Sequence, residues 1–175
     1  EEYKKLEEQE IIAKFKAQGI QIEEALQIFD FLPIRRNVVE NGYIKYLWDA
    51  FLTLDSFSVE GRAFLLMPFH LLFMLALQYK GLRIAKVFPE AADLFFAGVG
   101  GRNKDKLLNP QRAVYDLALI NERTLPELLR LVGLTEENIQ KTKSLIDDRN
   151  NNLAHAKGGI APDPNKSIVQ YLSAL

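Results

Sequence analysis

Two residues near the C-terminal end of this 175-residue chain are of types that can do chemistry together: Arg149 and His155, in the run Arg149-Asn150-Asn151-Asn152-Leu153-Ala154-His155. A guanidinium carries a fixed charge and a fork of donors. It can hold two phosphate oxygens and oppose charge that builds up in a phosphorane-like transition state. An imidazole, with an unperturbed pKa of about 6.5, takes or gives a proton near neutral pH. The pair suits attack of an RNA 2′-OH on its own phosphate without a metal, and Asn150 beside the arginine can orient either group. Six positions separate the two residues, so on an ideal helix they lie roughly 120° apart. A shared site therefore requires the helix to end or bulge within residues 150–152, or two copies of the motif to meet across a symmetric dimer.

Composition narrows what else is available. With 22 basic and 23 acidic residues the net charge is −1, which excludes a strongly basic nucleic-acid coat protein or an acidic tail as the main identity. The absence of cysteine excludes a disulfide scaffold, a thiolate nucleophile and Cys-ligated metal centres, and fits a reducing, cytoplasmic setting. There are two histidines. His70 lies in Met67-Pro68-Phe69-His70-Leu71-Leu72-Phe73-Met74 and reads as a core histidine satisfied by a backbone carbonyl. That leaves His155 as the imidazole free to act. A histidine-based zinc site would need both, so no metal and no cofactor is expected.

The elements that must position the motif are helical. The uncharged stretch Ala63–Tyr79, broken by Pro68 and His70, is shorter than the roughly 20 apolar residues of a membrane span, so it reads as a buried helix and not as a membrane segment. Beginning at Glu1 without a methionine, the chain reads as part of something longer, with no signal-peptide pattern as it stands. Residues 1–33 form a charged helical extension with apolar positions at helical spacing, interrupted by Gly19 and ended by Pro33. Residues 34–175 form the bundle proper, the two together making one compact unit. Helices are expected at Ile34–Leu54, at Val59–Val87 with Pro68 as a kink or restart, at Glu90–Ala97 and at Gln111–Arg123, the last opened by Asn109-Pro110. Others are expected between Thr124 and Gly133, after Thr135, and at Ser167–Leu175. The segment 59–87, apolar around its first half, is the central helix. The turn Asp55-Ser56-Phe57-Ser58 offers N-cap oxygens. In the helix after Thr135, residues Ile139, Thr142, Ile146 and Arg149 fall on one stripe. No segment alternates as a strand does, so the fold class is all-α, a single-domain helical bundle.

The run RNNNLAH resembles the catalytic motif of the HEPN superfamily: Arg, four to six intervening residues, then His, often with a polar residue directly after the Arg. HEPN domains are helical bundles that usually dimerise, and many are metal-independent ribonucleases of toxin–antitoxin, abortive-infection and CRISPR-linked defence. The resemblance implies a bundle of HEPN type, Arg149 and His155 as catalytic residues and Asn150 in support. It further implies RNA as substrate, a homodimer, and an antitoxin or other partner protein.

Other residues carry secondary readings. The loop 98–108, Gly98-Val99-Gly100-Gly101-Arg102-Asn103-Lys104-Asp105-Lys106-Leu107-Leu108, is a solvated basic loop, and Arg102, Lys104 and Lys106 are candidate RNA-backbone contacts. Lys80, Arg83 and Lys86 read as a solvated helix end, and Tyr43, Tyr46, Trp48 and Phe51 as core or dimer seam. Asp147 and Asp148 are the carboxylates placed to neutralise Arg149. Two alternatives to catalysis stay open. Arg149 to Asn152 can simply finish a helix, cations being favoured at its C-terminus. The domain is then a non-catalytic interaction or scaffold module, or a nucleotide-sensing relative that uses the basic loop.

Overall fold

The computed structural model describes residues 23–32, 38–55, 64–151 and 163–175. Every regular element among them is a helix, as the all-α expectation requires. The α-helices are α1 (Val38–Asp55), α2 (Leu66–Val87), α3 (Pro89–Val99), α4 (Lys104–Leu107), α5 (Glu136–Arg149) and α6 (Pro164–Ser173). Four 3₁₀ segments join them: η1 (Glu23–Asp30), η2 (Gly101–Asn103), η3 (Val114–Leu119) and η4 (Leu125–Val132). The charged extension before residue 23, the cap at Ser56–Ser58 and the motif residue His155 lie outside the described residues.

The central helix is α2. It buries 14 of its 22 residues and touches η1, α1, α3, η3, η4, α5 and α6. Burial of this kind is what a helix apolar around its circumference demands, since every face then needs an apolar neighbour. Pro68 sits in its first turn, where a missing N–H leaves no hydrogen bond broken, so the proline marks a start and not a kink. A run of ring contacts crosses the core from η1 to α6. Phe29 meets Trp48 edge-on at 4.8 Å, Trp48 stacks on Phe51 at 5.0 Å, and Phe51, Phe69 and Tyr171 follow at 5.5 and 6.1 Å. Ala25, Ile28, Phe29 and Leu32 belong to this same core, so residues 23–32 pack with the bundle.

Three segments differ from the sequence-based expectation. Residues 98–108 are not an open loop: α3 runs through Gly98 to Val99, and η2 and α4 follow. Gly100 makes that tight passage possible, because a Cβ there would lie 2.7 Å from the Phe96 carbonyl oxygen and 2.9 Å from Lys104 Cα. Arg102, Lys104 and Lys106 stay exposed on these short turns.

The regular helix expected at 111–123 is replaced by turns around η3. Asn109 Oδ1 accepts from Gln111 N at 2.8 Å, Asn121 Oδ1 accepts from Arg123 N at 2.9 Å, and Asp116 accepts from Ala113 N at 2.7 Å. These side chains satisfy backbone donors locally and so compete with a helical ladder. Arg112 ties the segment down, 3.0 Å from Asp93 and 4.7 Å over the Phe96 ring. The third difference is at Lys80, which is not fully solvated but half-buried, its ammonium on the Leu175 carbonyl.

The end of the bundle follows its local signals. Thr135 caps α5, accepting from Asn138 N at 3.4 Å, and Asp163 caps α6, accepting from Asn165 N at 3.0 Å. Gly133 closes η4 at φ +83°, a left-handed conformation that favours glycine. No helix among the described residues is long and apolar enough to cross a membrane.

Candidate active site

Helix α5 delivers Arg149 to the interior. Ile139, Thr142 and Ile146 are fully buried on one stripe, and Arg149, three residues further on, continues it. The guanidinium therefore does not turn back to the last carbonyls of its own helix. It reaches across to α2 and to the turn between η3 and η4. Nη2 donates to His70 Nε2 at 3.1 Å and to Glu122 Oε2 at 2.7 Å. The Arg149 side chain is 12% exposed and that of Glu122 41%.

The proton inventory fixes the state of His70. Arginine only donates, so Nε2 must accept, and the imidazole carries its proton on Nδ1. Nδ1 lies 3.1 Å from the Tyr171 hydroxyl and donates to it. The hydroxyl in turn donates to the Leu145 carbonyl at 3.4 Å. One directed chain thus runs from Arg149 through His70 and Tyr171 back to the backbone of the arginine's own helix. Burial, aided by the Arg149 charge, pushes the His70 pKa down to about 3, in keeping with a neutral ring. Burial likewise pushes the Tyr171 phenol up, only partly offset by Arg149. His70 is a core histidine, as expected, but its partners are a guanidinium and a hydroxyl and not a backbone carbonyl.

The motif arginine also departs from the expected neutralisation. Asp147 pairs with Arg123 at 3.3 Å, and Asp148 is exposed, while Glu122 is the carboxylate on Arg149. Nη2 alone carries both contacts. Nε is buried without a partner among the described residues. Nη1 makes no hydrogen bond to any of them. Beyond Arg149 the helix widens into a π turn at Asn150–Asn151, with the Asn150 N–H on the Ile146 and Asp147 carbonyls. Such turns shift the helical phase and recur at functional sites. This one falls within residues 150–152, where the helix was expected to end or bulge if the two motif residues share a site within one chain. Asn150 is half-buried at this cap.

Among the described residues no group of three or more His, Cys, Asp or Glu side chains is arranged to hold a metal ion. Trp48 and Phe51 are core, whereas Tyr43 and Tyr46 are exposed. Sequence reasoning missed Glu122 and Tyr171. Glu122 stood inside a segment read as plain helix, and Tyr171 carried no local signal beyond its apolar position on a terminal helix. No family model matches the chain, and no curated protein and no solved structure matches it.

Proposed function

We propose that the chain is a HEPN-like, metal-independent endoribonuclease acting as a homodimer, with Arg149 and His155 as its catalytic pair and Asn150 in support. The observation that carries this reading is the mounting of Arg149. Its guanidinium is held by a buried polar chain through Nη2 alone, which leaves Nη1 without a hydrogen bond to any described residue. A directed chain of hydrogen bonds beneath a side chain is the kind of support that fixes a functional group in place.

In this reading His155 removes the proton from a ribose 2′-OH. The 2′ oxygen attacks the adjacent phosphorus, and the bond to the 5′ oxygen breaks, that oxygen taking a proton from solvent water. Arg149 opposes the charge gathering on the non-bridging oxygens. The products are a 2′,3′-cyclic phosphate and a 5′-hydroxyl. Arg102, Lys104 and Lys106, exposed on their turns, add sequence-independent contacts to the RNA backbone. Defence or toxin–antitoxin function and an antitoxin partner follow from the HEPN resemblance alone. The test is incubation of single-stranded RNA with the protein in EDTA: cleavage with cyclic-phosphate ends supports the reading, and intact RNA counts against it.

A second reading has its own observation. Glu122 pairs with Arg149, and His70 is spent as a neutral core acceptor, an arrangement that also serves a non-catalytic helical interaction module. That module cleaves no RNA, and loss of stability is the main effect of changing Arg149.

A further inference from the structure

A groove of about 450 Å³ opens between α1, α2 and η3, and its lining includes Glu122, the residue paired with Arg149. We propose that this groove is a subsite for one nucleobase of single-stranded RNA.

Three observations carry the assignment. First, its volume lies in the range of small-ligand pockets and its floor is aliphatic, formed by Leu75 and Met74. Second, two rings stand at its wall, Tyr43 and Tyr115, edge-to-face with centroids 6.2 Å apart and each more than a third exposed. Aromatic side chains at the edge of an apolar slot are what unstacked RNA bases pack against. Third, Gln78 lines the groove, its residue only 8% exposed, and brings an amide to a lining that is otherwise largely apolar. Its carbonyl oxygen and NH₂ sit side by side, the pattern that matches a donor and an acceptor on a base edge.

The occupant is planar, apolar on its faces and polar on its edge, and it is uncharged, so the Glu122 carboxylate in the lining does not repel it. That same carboxylate can accept from an exocyclic amine. The proposal rests on the ribonuclease reading for what Arg149 holds, but base binding itself is measurable without cleavage.

The chain has two methionines, and Met74 lines the groove while Met67 does not. With ¹³C-methyl-labelled methionine, the full chain is titrated with AMP, GMP, CMP and UMP, and separately with ribose 5-phosphate. A saturable shift of the Met74 methyl with at least one nucleotide is expected, with Met67 unmoved and no response to ribose 5-phosphate. Gln78→Leu, or Gln78→Met should the first fail to fold, weakens that binding at least tenfold. No Met74 response to any nucleotide at millimolar concentration, or a response unaltered by both variants, overturns the proposal. Base binding by a protein that cleaves no RNA leaves the groove assignment standing and removes the nuclease. Cleavage that needs Arg149 and His155, without base binding, removes the groove alone.

Discussion

Arg149 and His70, 79 residues apart in the chain, meet in the interior through a 3.1 Å contact in which the guanidinium donates and the ring accepts. Because the donor cannot accept, the contact dictates the tautomer of His70, and through it the direction of every hydrogen bond as far as the Leu145 carbonyl.

The first consequence concerns pH. His70 is neutral in the fold with its pKa at about 3, whereas an unfolded histidine titrates near 6.5. Between those values the unfolded chain binds one more proton at this site than the native one. Stability therefore rises with pH across the window, and falls by about 1.4 kcal/mol per unit as pH drops from roughly 6.5 toward 3. Denaturant unfolding at pH 7, 6 and 5 should show this slope. His70→Gln, which keeps a donor and an acceptor but does not titrate there, should flatten it. In ¹⁵N spectra at pH 5 the His70 ring should show a protonated Nδ1 and a bare Nε2.

Removing the hydroxyl beneath His70 tests the next link. Tyr171→Phe keeps the ring contact with Phe73 at 4.8 Å but leaves the Nδ1 proton without an acceptor. A cost of about 1–3 kcal/mol in unfolding free energy is expected. A change near zero would mean the chain of bonds contributes nothing.

Glu122 should matter for the seating of Arg149. Glu122→Gln retains an acceptor at the same reach but removes the countercharge. Since Glu122 is substantially exposed, solvent screens the pair, and the loss should be about 1 kcal/mol or less. Glu122→Leu, which removes the acceptor as well, should cost more. Thermal unfolding of the two variants in parallel gives the order, and the reverse order would contradict the pairing.

The exposed cations on the turns after α3 are expected to act on affinity and not on the fold. Replacing Arg102, Lys104 and Lys106 together by alanine should leave the melting temperature within a degree or two. It should also weaken single-stranded RNA binding at low salt and reduce the slope of log K against log salt by up to about 2, at roughly 0.7 per phosphate contact. An unchanged salt slope would remove these residues from the RNA-binding surface.

Much of the placement of Arg149 was legible beforehand. The stripe Ile139-Thr142-Ile146-Arg149 put the arginine on the buried face of its helix, Thr135 marked where that helix starts, and the continuous apolar run around His70 marked the central helix. What the arginine meets there was not legible. Glu122 and His70 reach it from 27 and 79 residues away, and Tyr171 meets His70 across 101. Local pattern carries no information on such pairings. The segment before Glu122 misled for a different reason: Asn109, Asp116 and Asn121 bond backbone donors nearby, which breaks a periodicity that otherwise reads as helix. Glycines at 98–101 suggested an open loop, yet Gly100 is there because two backbones approach too closely for any side chain.

The most direct test of the central claim is cleavage of single-stranded RNA in EDTA by the wild-type chain, Arg149→Lys and His155→Ala. Circular dichroism and unfolding of each variant establish that it is folded. Arg149→Lys keeps the charge but has one compact ammonium in place of a fork, so it cannot serve Glu122, His70 and a phosphate together. The account predicts cyclic-phosphate products from the wild type and a loss of at least a hundredfold in rate in each folded variant, the scale on which acid–base catalysis and a charge-stabilising donor act. Undiminished cleavage by both variants, or no cleavage by the wild type, would contradict it.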